Sequence, residues 1–173
     1  MTQKLAALVT GLCIAWLVLL PIGAIYLLID IEQLGLLARE NLRMPVQWFT
    51  VNTGQWYGLW LITALYLAVG YVGTWYLYRA FRSFAQGAWF DEANSRHLRR
   101  YAALLMLQAI LGPLHFALAS VILSLNHPDG QKLLSVFAGS KELTMIAAGL
   151  ILWVLADLLV KGIRADAENR QFV

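Results

Sequence analysis

Three uninterrupted apolar runs, residues 5–29, 56–78 and 101–125, contain no Asp, Glu, Lys or Arg, and a fourth, 143–160, contains only Asp157. A helix crossing a hydrocarbon core about 30 Å thick needs about 20 predominantly apolar residues. Hydrocarbon also admits only backbones whose polar groups are satisfied internally, which for apolar runs of this length means helices. The pattern therefore predicts an all-α integral membrane protein, a bundle of four transmembrane helices. With 60% hydrophobic and 13% charged residues, the chain departs from soluble domains, in which about a quarter of residues are charged.

A single membrane domain over residues 1–173 is expected, with helices at about 5–29, 54–86, 91–125 and 140–168. Outer loops would then occupy 30–53 and 126–139, and a cytoplasmic turn 87–90. Lys4 ahead of the first run resembles the start of a secretory signal, but a signal's apolar region is only about 7–15 residues long. The first run is read as a retained helix. The lone Cys13 allows no disulfide within one chain.

Basic residues are distributed unevenly if the four helices alternate in direction. Lys4, Arg79, Arg82, Arg96, Arg99, Arg100, Lys161, Arg164 and Arg170 fall on one side, and Arg39, Arg43, Lys132 and Lys141 on the other. The positive-inside bias puts the first group, and with it both termini, in the cytoplasm. This accounts for the net charge of +3 without nucleic acid as a partner. The expected location is a bacterial inner membrane, with lipid as one partner. Arg79, Arg82, Arg96, Arg99 and Arg100 form a basic face that would meet anionic headgroups or a protein partner.

Local signals punctuate the helices. Leu34, Leu36 and Leu37 beside Glu32, Arg39 and Glu40 suit a short amphipathic helix at the membrane surface, ended by Pro45. Gly87 suits a left-handed cap for the second long helix, Asp91 an N-cap for the third, and Ser140 an N-cap for the fourth. Trp48, Phe49, Trp56, Tyr57 and Trp60 cluster where the chain re-enters the lipid, and Phe81, Phe84, Trp89 and Phe90 would sit at headgroup depth. Gly54, Gly58, Gly70 and Gly73 let the second long helix approach a neighbour closely. That neighbour is a helix of the same bundle, a second copy of the chain, or a foreign helix.

The sequence Gly87-Ala88-Trp89-Phe90-Asp91-Glu92-Ala93-Asn94, followed by Leu98-Arg99-Arg100 and by Gly162 and Glu168 before Phe172-Val173, resembles a bacterial four-helix membrane family, domain of unknown function 2975. The likeness spans nearly the whole chain. Genes of that family often neighbour small helix-turn-helix regulators, so the resemblance implies a regulatory or stress-related setting. It carries over no catalytic residues.

Intramembrane polar residues are the remaining candidates, because hydrocarbon penalises them. Gln108, Gly112 and His115 share a helical face and are expected to point into the bundle, with Pro113 kinking the helix beside them. His115 is read as a structural hydrogen-bonding group. The functional alternatives are a haem ligand, with Met106 or Met145 as second axial ligand, a quinone donor or a proton relay. Asp157 stands four residues before Lys161, the spacing of a helical ion pair; a transport site would need partners such as Gln108, His115, Ser120 and Ser124. No phosphate loop, paired-cysteine motif or nucleophile elbow occurs. The expectation is a non-enzymatic protein without cofactor or metal, working through protein or lipid contacts. A protein conferring immunity to a membrane-acting toxin is the alternative, with haem or quinone binding, or small-solute transport, through His115 behind it.

Overall fold

The structure, a computed structural model, describes residues 2–42, 46–88, 91–128 and 130–169. It is all-helical over those residues. The helices are α1 (Thr2–Ile29), α2 (Ile31–Leu42), α3 (Thr53–Ala85), α4 (Glu92–Ser124) and α5 (Ser140–Asn169), with a short 3-10 turn at Trp48–Thr50. Four of them, α1, α3, α4 and α5, are long and apolar enough to cross a membrane. The family-like residues Trp89 and Phe90, Pro45 with its helix-ending role, and the tail 170–173 lie outside the described residues.

Local chemistry explains where the helices stop. Asn52 caps α3 in a reciprocal box: its side chain accepts the Gln55 N–H at 2.9 Å, and the Gln55 side chain accepts the Asn52 N–H at 2.8 Å. At the other end Gly87 has φ 87°, and two bonds close a Schellman motif, Gly87 N–H to Phe84 C=O and Ala88 N–H to Ser83 C=O. Asp91 then caps α4 by accepting the Ala93 N–H at 2.8 Å. At α5 the expected cap shifts: the helix starts at Ser140, and Glu142 reaches back to accept the Gly139 N–H at 2.7 Å.

The long helices alternate in direction and form a row. α1 packs on α3, α3 on α4 and α4 on α5, whereas α1 and α5 are not packed along their lengths. In α1 the buried side chains are Ala6, Cys13 and Leu17, a single seam, and Trp60 of α3 donates its indole N–H to the Ala24 carbonyl at 2.9 Å. Two apolar clusters mark the ends of the row. Ala6, Ala80, Phe84, Leu98 and Ala156 meet at the end bearing the α3–α4 turn, here the turn end. Ala38, Val46, Leu59, Ala119 and Leu123 meet at the opposite, linker end, where α2 lies against α3.

Most apolar surface faces outward. Leu12, Leu65, Ile110 and Ile151, one from each long helix, are 61–67% exposed. Soluble monomers rarely expose contiguous apolar patches beyond a few hundred Å², and here such residues run the length of four helices.

Candidate functional site

The helix-packing glycines divide by what lies opposite them. Gly58 approaches Ile122, Gly70 the amide of Gln108, and Gly73 the side chains of Tyr101 and Leu104, all on α4. This face is occupied within the chain, so a second copy or a toxin helix would have to displace α4 to use it. Gly54 meets only its own cap residue, Asn52. Gly149 of α5, which sequence reasoning did not single out, is packed most tightly: an added Cβ would lie 2.6 Å from Met106 Cγ and 3.1 Å from the Ala102 carbonyl.

Because α4 lies between two neighbours, its polar residues do not converge on one point. Gln108 and His115 face α3, whereas Gly112 meets Glu142 of α5. His115 Nε2 is 2.9 Å from Thr63 Oγ1, and its ring stacks on Tyr66 with centroids 5.1 Å apart. The recess beside it is apolar and about 160 Å³, below the roughly 300–1,000 Å³ of small-molecule sites. Met106 is turned to Gly149. Ser120 and Ser124 are also engaged, since Ser120 Oγ accepts the Ser135 N–H and Ser124 Oγ the Leu133 N–H, both at 2.9 Å. They bind the linker after α4, whereas His115 faces Thr63 of α3.

Asp157 does not pair with Lys161. Its carboxylate forms an ion pair with Arg99 of α4, and one residue earlier the Ala156 carbonyl accepts the Ser95 hydroxyl at 2.5 Å. Asp157 points across to the neighbouring helix instead of along its own, so helix pairing overrides the i,i+4 spacing. Among the described residues, no group of three or more His, Cys, Asp or Glu side chains is placed to hold a metal ion.

The other four arginines of the basic face lie at the turn end, and two of them line the site that the fold builds there. Arg96 pairs with Glu92 at 3.6 Å, and Arg100 lies over Tyr76, 5.2 Å from the ring centre. Arg79 and Arg82 behave differently. Arg79 sits over Trp75 and Arg82 over Tyr78, each 6.0 Å from the ring centre, and Arg82 donates to the Tyr78 hydroxyl at 3.0 Å. Neither has a carboxylate partner among the described residues. Both line a groove of about 730 Å³ with α3 as its floor and α1 and the start of α4 as its walls. Its far half is formed by Ile14, Leu17, Val18, Tyr71 and Trp75, and its rim by the two arginines with Ser83, Gln86, Asn94 and His97. His97 stacks on Tyr76, and its Nδ1 is buried without a hydrogen-bond partner.

The family described as Protein of unknown function (DUF2975) matches residues 36–171. The chain belongs to this family. No curated protein and no solved structure gives a significant match. In this DUF2975 chain the matched segment takes in most of α2 and all of α3, α4 and α5, while α1, one wall of the groove, precedes it.

Sequence reasoning also missed the polar knot at the linker end of the DUF2975 chain. Gln55 is 5% exposed: its amide donates to the Ile122 carbonyl at 2.7 Å and accepts from Asn126 Nδ2 at 2.8 Å. His127, also 5% exposed, accepts the Gln47 N–H on Nε2 and sets Nδ1 against the Gln131 carbonyl, both at 3.1 Å. Those partners require a neutral ring carrying its proton on Nδ1. The Asn52-x-x-Gln55 spacing was a readable signal for the cap; nothing in the sequence marked the partners of His127.

Proposed function

We propose that this protein is a non-enzymatic, integral protein of a bacterial inner membrane, with both termini and the α3–α4 turn in the cytoplasm. It acts through contacts with protein or lipid at the turn end. The supporting observation is that four long helices present exposed apolar side chains, while the chain's basic residues concentrate at the turn end. Water would oppose the first arrangement and the positive-inside bias orients the second. The groove with its two carboxylate-free arginines is the site at which such a contact is best prepared. The polar residues of the long helices fit a packing role in this reading, with His115 against Thr63 and Tyr66 and Asp157 paired with Arg99.

Reporter fusions active on only one side of the membrane, at both termini and after residue 88, test the orientation. All three should report cytoplasm. Crosslinking in intact cells should then recover a reproducible partner through positions at the turn end. Solute transport by the purified protein in liposomes would overturn this reading.

A further inference from the structure

We propose that the turn-end groove binds an anionic glycerophospholipid, with its phosphate against Arg79 and Arg82 and an acyl chain along Val18, Tyr71 and Trp75. The inference rests on the membrane reading above and names the ligand class of that site. Two features carry it. The first is polarity that changes along the groove, with apolar side chains at the far half and guanidinium, amide and hydroxyl groups at the rim. From Tyr71 to Arg82 a helix rises roughly 16 Å, so the groove is long enough for a headgroup followed by the upper part of a chain.

The second feature is charge. Arg79 and Arg82 stand three residues apart on one helical face, held over Trp75 and Tyr78 and without carboxylate partners among the described residues. Stacking leaves guanidinium edges to donate, the geometry that suits phosphate oxygens. Asp91 also lines the groove as an anion, with one oxygen accepting the Ala93 N–H at 2.8 Å, so two guanidinium groups stand against one carboxylate and the rim stays net positive. A soluble phosphate compound would use the rim and leave the apolar half of the groove uncovered; a lipid covers both. Basic pockets between membrane helices near the cytoplasmic face are a recurrent site for anionic headgroups.

The test uses the full chain extracted in mild detergent and native mass spectrometry of its lipid adducts. Phosphatidylglycerol and phosphatidylethanolamine with identical acyl chains serve as probes. Phosphatidylglycerol should be retained about tenfold better, a difference of about 1.4 kcal/mol. The pair Arg79→Gln and Arg82→Gln should abolish that preference, and Arg96→Gln with Arg100→Gln should keep it. Val18→Trp, which fills the apolar half and leaves both arginines, should reduce retention of either lipid. Equal retention of the two lipids by the unaltered protein overturns the proposal, as does equal loss in the two arginine pairs. Full displacement by glycerol 3-phosphate at matched concentration would assign the rim to a soluble phosphate and overturn it too. Release of the protein from membranes by salt alone would instead undo the membrane reading, a result separable from the lipid comparison in detergent.

Discussion

The side-chain amide of Gln108 lies against the bare Cα of Gly70, so close that a Cβ there would stand 2.7 Å from Nε2. This contact brings α3 and α4 together in the middle of the row. Gly149 against Met106 does the same for α4 and α5, with one difference in what must yield. At Gly70 the obstacle is the mobile end of a long side chain. At Gly149 it is the middle of Met106 together with a backbone carbonyl.

Gly149→Ala should therefore destabilise the protein more than Gly70→Ala, by about 1–3 kcal/mol, the usual cost of overpacking. Gly11→Ala, with nothing within 4 Å of the new methyl, should be neutral or slightly stabilising through helix propensity. Thermal unfolding in detergent ranks the three variants. Equal midpoints for Gly11→Ala and Gly149→Ala would contradict the close packing of α4 and α5.

Arg99 and Asp157 should couple, and Lys161 and Asp157 should not. The paired side chains are 41% and 42% exposed, so solvent screening limits the coupling to about 0.2–1 kcal/mol. A double-mutant cycle with Arg99→Gln and Asp157→Asn measures it. The parallel cycle with Lys161→Gln should return nothing beyond error.

Gln55→Leu should loosen the linker end, because it removes the acceptor of the Asn52 N–H and one of the two acceptors of Asn126 Nδ2, which keeps the Thr50 carbonyl. Asn52 and Asn126 are exposed, so the cost is that of ordinary hydrogen bonds, about 0.5–1.5 kcal/mol each. Limited proteolysis within 125–139 should accelerate in this variant while cleavage near the α3–α4 turn stays unchanged. His127→Phe should act similarly by removing the acceptor of the Gln47 N–H.

His115→Ala should lower thermal stability and leave the protein's absorption unaltered. The residue is bonded to Thr63 and stacked on Tyr66, which makes it a packing element between α3 and α4. Protein purified from haem-supplemented cells should show no Soret band. A band that disappears on His115→Ala would return His115 to the list of cofactor ligands.

Local and long-range features differed in how far they could be read. The four long apolar helices were visible because the length and apolarity that a hydrocarbon core demands are written directly in sequence. The signals at Gly87 and Asp91 were visible because a left-handed φ and an N-cap each depend on one residue and its near neighbours. Partners across helices were not. Asp157 finds Arg99 only once α5 is set beside α4, and Ser120 and Ser124 hold the 133–135 linker only once the chain turns back at 126–131. The groove was hidden for the same reason: Val18 and Arg82 are far apart in the chain and meet only because α1 packs on α3.

The row-like order of the helices leaves α1 and α5 with one long neighbour each, and of these two α1 forms a wall of the groove. α3 and α4 each have long neighbours on both sides, whereas α1 adheres to one long helix through a narrow seam. A displacement of α1 relative to α3 would therefore open the groove and leave the α3–α4 and α4–α5 packing in place. If the four long helices lie in a bilayer, an opening on that side faces lipid and admits an amphiphile laterally.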